Sequence, residues 1–219
     1  MGDTIVLTVW GRKSSSNVQA VLWCLAELGV EHERIDAGFT YGVVDTPEYR
    51  AMNPNGKVPT IRDGDAPPLF ESGAILRYLA ARHAPERFWP SDPLARAGID
   101  QWAEWAKVNV TQLFTVPVFW QVVRVPAARR ERAAIARSVE TLEGVLAIAD
   151  ARLAERAFIA GEVLTLADIQ LGHVLYRYYD VDIERGALPH LRRYYERLAE
   201  RAAYRDNVMV SYAELADSM

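Results

Sequence analysis

The chain has 219 residues, 50% of them hydrophobic, enough to bury a sizeable core as one large domain or two modest ones. Its 25 Lys and Arg against 29 Asp and Glu give a formal charge of −4 with the signs interspersed, a pattern that invites neither a nucleic acid nor an anionic membrane surface. MGDTIVLTVWG lacks the basic and apolar segments of a signal peptide, and no apolar run approaches the roughly 18 residues of a membrane span, so a cytoplasmic location is expected.

Thr4 to Trp10, TIVLTVW, is a β-branched run and predicts a first strand. In GRKSSSNVQAVLWCLAELG, Val18, Val21, Leu22, Leu25 and Leu28 recur at the spacing of an amphipathic helix, which Gly29 ends. Cys24, the single cysteine, falls inside that helix and reads as structural rather than reactive. HERIDA, His32 to Ala37, is a second strand, VPTIRDGDAPPLFE is a hairpin turning at Asp63-Gly64, and Ser72 to His83 is a helix. The order β-α-β, hairpin, α predicts a thioredoxin-like α/β unit with one parallel and one antiparallel pairing.

APERFWPSDP, Ala84 to Pro93, carries three prolines and reads as a linker. It divides the chain into an α/β domain (1–84), a linker (85–93) and an all-helical domain (94–219). Helical spacing in the latter runs from Leu94 to about Val123, Ala127 to about Leu153, Leu166 to about Tyr179 and Leu188 to about Ala203. Thr165 and Asp168 in GEVLTLADIQLG have the spacing of an N-cap and its N3 partner. VVRVPAARRERAAIARS reads as a solvated helix start, with Arg124, Arg129 and Arg130 as minor candidates for a ligand carboxylate. The four histidines, His32, His83, His173 and His190, show no ligand spacing, so no metal site is expected.

Three places carry chemistry. Pro59 has no N–H, so the strand it opens cannot complete its ladder, and Val58 keeps its N–H and C=O free for another extended backbone. Glu71 and Ser72 sit where a strand turns into a helix, so free N–H groups and the positive helix end meet an incoming carboxylate while Glu71 pairs with an ammonium. A simple cap and a first-turn acid would look the same. KSSSN, Lys13 to Asn17, puts three serines and an asparagine at the positive end of the first helix, where capping requires only one of them.

NPNGKVPTIRDGDAPPLFESGAILRYLA, Asn53 to Ala80, resembles the cytosolic glutathione transferase family in the order and spacing of its Asn-Pro, Val-Pro, hairpin and Glu-Ser-Gly-Ala-Ile. The proline-rich linker and helical second half extend the resemblance to nearly the whole chain. It implies a thioredoxin-like domain followed by a helical bundle, glutathione as co-substrate held by Lys57, Val58, Pro59, Glu71 and Ser72, and a homodimer. Theta-like and zeta-like members place a catalytic serine at the first helix N-terminus, which falls on Ser16 or, one position earlier, Ser15. Nu-like members have an asparagine there, which falls on Asn17. Trp10 stands where other classes carry tyrosine, and GRKSSSN holds no cysteine for a glutaredoxin-like nucleophile. The Ser-Ser-Cys of zeta-like members is half matched. A second substrate is expected near Trp10, Arg12, Trp105 and Asn109. Two alternatives stay open: a nu-like glutathione-dependent disulfide reductase or peroxidase, and a non-catalytic module that keeps the fold.

Overall fold

The computed structural model describes residues 7–219, so the Thr4 to Val6 part of the expected first strand lies outside the described residues. Strand β1 (Leu7–Trp10) buries Leu7 and Val9 on one face, in the alternation a half-buried strand requires. It runs parallel to β2 (His32–Ile35) and antiparallel to β3 (Thr60–Asp63), with Val9 opposite both Arg34 and Ile61. β3 pairs antiparallel with the two-residue β4 (Leu69–Phe70), so the sheet order is β2-β1-β3-β4. The hairpin turns after Asp63, where Gly64 takes a φ of 56° that a side chain would resist.

Helix α1 (Ser16–Leu28) buries Val18, Val21, Leu22 and Leu25, and α3 (Ser72–His83) packs beside it. α1 ends at Gly29, whose φ of 66° lets Val30 N–H reach Leu25 C=O at 2.9 Å. Burial pushes the Cys24 thiol up, which keeps it inert.

One helix between the second strand and the hairpin was not expected: α2 (Pro47–Met52). Its start is marked by Thr46, whose hydroxyl accepts from Tyr49 N–H at 3.2 Å, and by Pro47 in the first turn. Six residues are too few to display a helical period.

The expected long helix after the linker is continuous but not uniform. α4 (Pro93–Trp105) passes through a π-helical stretch (Ala106–Thr111), α5 (Gln112–Phe114), a second π-helical stretch (Thr115–Trp120) and α6 (Gln121–Val123). Pro117 lies in the second stretch and has no N–H to give, so the wider turn absorbs the break that an α-helix would suffer there. α7 (Arg132–Leu153) begins five residues later than the spacing suggests, after a short 3-10 turn at Ala127–Arg129. The expected last helix is two, α9 (Pro189–Ala199) and α10 (Ala202–Asn207), separated where Arg201 turns away to pair with Glu27 of α1 through two contacts of 2.7 and 2.5 Å.

α8 (Leu166–Asp180) is the central element, packed against α1, α3, α4 and α9 and buried along most of its length. Asp168, fully buried, accepts from Ile159 and Thr165 N–H and from the Thr165 and Tyr194 hydroxyls, all within 3.0 Å. Gly172 has no room for a side chain: an added Cβ would stand 2.7 Å from Leu198 Cδ1 and 2.8 Å from Trp23 Cη2. Its C=O accepts from Tyr204 at 2.8 Å.

Two stability outcomes follow from α8. Gly172→Ala gains about 1 kcal/mol of helix propensity and loses roughly 1–3 kcal/mol by overpacking. Each net kcal/mol lost lowers the melting temperature of a chain this size by roughly 2–4 °C, read by calorimetry. Burial raises Asp168 from 3.8 to about 6, against the pull of its four donors. The folded chain therefore holds this proton to higher pH than the unfolded chain, so its contribution is full below about pH 4 and declines as pH rises to about 6. Urea unfolding of wild type and Asp168→Asn across that window should show wild type's advantage shrinking as pH rises.

Candidate functional site

A cavity of about 320 Å³ opens at the N-terminus of α1. Ser14, Ser15, Ser16 and Asn17 line it from one side, Lys57 and Val58 from the loop before β3, and Thr115, Trp120, Arg124 and Arg177 from the helical half.

The four candidates at α1 are not equivalent. Ser14 is buried, and its hydroxyl is taken by Arg12 Nε at 3.1 Å and by the Glu214 carboxylate. Ser15 is the N-cap residue with extended backbone (φ −86°, ψ 120°), yet its side chain makes no cap hydrogen bond. Ser16, the first helical residue, is buried. Asn17 is exposed, and its Oδ1 accepts from Ser72 Oγ at 3.1 Å, a bond that joins the start of α1 to the start of α3. The positive ends of two helices thus meet, and the Ser15 hydroxyl lies half-buried there with no partner among the described residues.

The loop before β3 is built from beneath. Tyr49 OH donates to Lys57 C=O at 2.7 Å, and the buried Asn53 Nδ2 reaches the same carbonyl at 2.8 Å and Thr60 Oγ1 at 3.1 Å. Val58-Pro59 is a cis peptide. With Lys57 held from inside, the Val58 N–H and C=O stay without partners among the described residues and line the cavity. Glu71 takes a φ of 68°, a conformation costing roughly 1–3 kcal/mol for a residue with a side chain. Its carboxylate is exposed and lies 3.5 Å from Lys107 Nζ, while Ser72 beside it is buried.

The helical half contributes cations and aromatic rings. Arg177 on α8 is 3% exposed; its Nη2 donates to Ser14 C=O at 2.6 Å, and its buried Nε has no partner among the described residues. Burial lowers Arg177 to about 10, so it stays charged at neutral pH. Arg12 is also lowered, chiefly by burial, with Glu214 opposing and Arg124 adding to the shift. Arg124 lies over the Trp120 ring at 4.5 Å.

Several expected neighbours are elsewhere. Trp10 lies on the sheet face away from Val9, beneath the Arg62 guanidinium at 5.9 Å, and does not line the cavity. Trp105 packs on Trp102 at 5.3 Å, and Asn109 Nδ2 bonds Trp105 C=O at 3.2 Å, so both serve the long helix rather than the cavity. Arg12 does line it. Arg124, read as part of a solvated helix start, faces the cavity instead. Arg177 was missed, although a lone arginine within an apolar helix face was a visible signal. Phe39, Trp120 and Leu215 were also missed, since nothing local marks them as neighbours of KSSSN. A larger cavity, about 830 Å³, lies between α7 and residues 182–186 and does not reach α1.

Residues 5–81 match the N-terminal domain of glutathione S-transferase and residues 109–202 its C-terminal domain. Glutathione S-transferase GstB of Escherichia coli K12 is 36% identical over 94% of this chain and 99% of that protein. Glutathione S-transferase 4 of Zea mays is 34% identical over 91% of each. The crystal structure of a theta class glutathione S-transferase from Xanthomonas axonopodis pv. citri, with glutathione bound, superposes with a TM-score of 0.89 at 44% identity over 95% of this chain and 100% of that one. With both domains matched in order and the fold shared along almost its whole length, the chain belongs to the glutathione S-transferase family.

Proposed function

We infer that this chain is a glutathione transferase whose Ser15 hydroxyl stabilises the glutathione thiolate for attack on a small electrophile. The observation that carries this reading is the unpartnered Ser15 hydroxyl at the α1 N-terminus, in one cavity with the free main chain of Val58. Extended peptide adds to Val58 by backbone hydrogen bonds, Lys57 offers charge to a terminal carboxylate, and Glu71 with Ser72 takes the γ-glutamyl ammonium and carboxylate. Ser16 also lines the cavity with no hydrogen-bond partner for its hydroxyl among the described residues, but it is the more buried of the two and already belongs to the helix, whereas Ser15 is half-buried at the N-cap.

Magnitudes support the chemistry. A free thiol of this kind has a pKa of about 8.5 and is mostly protonated at pH 7. One hydrogen bond to the thiolate contributes roughly 1.5–3 kcal/mol and the helix end up to about 2, against about 1.36 kcal/mol per pKa unit. Together they lower the thiol by roughly two units, so the proton leaves to solvent without a general base. The thiolate then forms its bond to the electrophilic carbon as the leaving group departs with its electron pair.

Asn17 favours a second reading, nu-like disulfide or peroxide reduction. Its Oδ1 is engaged by Ser72, which leaves the amide N–H groups to face a sulfur. The family resemblance further supports a cytoplasmic homodimer with a detoxifying role, and sedimentation at micromolar chain tests the dimer.

Calorimetric titration with glutathione, repeated across pH while thiolate absorbance is followed, should give saturable binding and a lowered thiol pKa. No binding at millimolar glutathione overturns the transferase reading and leaves the non-catalytic module. Ser15→Ala should reduce turnover at pH 7 roughly ten- to a hundredfold and move the pH profile upward. Full turnover in Ser15→Ala with loss in Asn17→Ala would transfer the role to Asn17. Glu71→Gln should raise the glutathione KM about tenfold through loss of the ammonium partner.

A further inference from the structure

Glutathione, held as proposed, engages Lys57, Val58, Glu71, Ser72 and Ser15, and leaves three guanidiniums at the same cavity unused. Arg12 comes from the loop after β1, Arg124 from the end of α6 and Arg177 from α8, and no described residue lining the cavity is acidic. Gathering three like charges is unfavourable unless an anion joins them, and burial removes the water that would otherwise screen them. The protein supplies only part of that anion. Glu214 bonds the Ser14 hydroxyl, lies 3.9 Å from Arg12 Nε and accepts from Tyr41 OH at 3.4 Å. One carboxylate against three guanidiniums leaves positive charge in excess, and the buried Arg177 Nε remains unpartnered.

The rings around the cluster define the rest of the ligand. Arg12 and Arg124 lie over the Phe39 ring at 5.5 and 5.6 Å, and Arg124 also over Trp120 at 4.5 Å. Arg124 Nε donates to Ser218 Oγ at 2.9 Å and Arg12 Nε to Ser14 Oγ at 3.1 Å, while the Nη groups of both make no hydrogen bond among the described residues and remain for a carboxylate. Phe39 and Trp120 themselves line the cavity and present flat apolar surface next to those edges.

We propose that Arg12, Arg124 and Arg177 form a carboxylate subsite for the second substrate, so that the electrophile this chain prefers is an aromatic carboxylate. This rests on the transferase reading above. In the step it serves, the thiolate sulfur bonds to the ring carbon, the carbon–halogen bond breaks, and halide leaves with the electron pair while the carboxylate stays on the arginines.

The test compares a chloronitrobenzoate, chlorine ortho to the nitro group, with the chloronitrobenzamide that differs only in the carboxylate. Each kcat/KM at saturating glutathione is divided by the uncatalysed rate with glutathione, which removes the intrinsic reactivity of the two rings. The benzoate should be preferred about tenfold or more on the wild-type chain, the size of one charge-assisted hydrogen bond. Arg124→Met should bring that ratio close to one. Equal normalised values on wild type, or a preference that survives Arg124→Met, would overturn the subsite. Turnover of a neutral chlorodinitrobenzene without benzoate preference removes the subsite and leaves the transferase reading standing, whereas absence of glutathione binding removes both.

Discussion

Arg177 donates to the Ser14 carbonyl across the boundary between the two halves of the chain and, with the packing of α1 on α8, ties the walls of the cavity together. The bond is a buried, charge-assisted contact at 2.6 Å, of the kind that contributes about 1.5–3 kcal/mol. It sets the loop carrying Ser15 against α8, and so decides which residues of the helical half reach the cavity. α8 can bear this role because it is itself fixed. Asp168 anchors its first turn, Gly172 allows Trp23 and Leu198 to close on its middle, and Tyr204 bonds its backbone.

Side chains close some helix starts and leave others open, α7, α9 and α10 among the open ones. At α2 and α4, Thr46 and Asp92 accept hydrogen bonds from the first-turn N–H groups of Tyr49 and Ala95. At α8, Asp168 bonds back to Thr165 N–H. At α1 and α3, the two helices whose starts meet at the cavity, neither Ser15 nor Glu71 caps its own helix. Those N–H groups and their share of the helix dipole stay available to a ligand. Glu71 adds a left-handed backbone, and Arg177 a buried N–H without a partner. Each departure costs folding energy, and all lie within or beside the cavity at the start of α1. Such a concentration is intelligible as preorganisation for an anion.

The cationic wall and the thiolate site use the same electrostatics for different ends. In the proposed mechanism, helix ends and hydroxyls act at short range on a sulfur. The guanidiniums, held on Phe39 and Trp120 by ring faces, act on a planar anion. Glu214, from the C-terminal segment, keeps part of this charge in balance. That segment is held by Asp217 N–H to Val123 C=O and Met219 N–H to Arg124 C=O, so the end of α6 and the end of the chain are positioned together.

Much of this was legible before any coordinates. Gly29 closes α1, Asp63-Gly64 turns the hairpin and Thr165 with Asp168 starts α8, because caps and turns are local events whose causes lie within a few residues. The Val58-Pro59 and Glu71-Ser72 pairs were visible for the same reason. α2 escaped because six residues show no period, and the π-helical stretches because a widened turn leaves the hydrophobic spacing only slightly altered. That Ser15 is the N-cap and Ser16 the first helical residue is set by backbone angles that the sequence does not carry. Trp10, Trp105 and Asn109 illustrate the limit from the other side, since each has a suitable side chain and points elsewhere. The sequence by itself determined most of the elements, their order and the resemblance to the family, and it singled out Val58-Pro59 and Glu71-Ser72. Only the tertiary structure decided which arginines and rings share the cavity, because Arg12, Phe39, Arg124 and Arg177 meet through the packing of α8 against α1 and α4, and no local rule fixes that crossing.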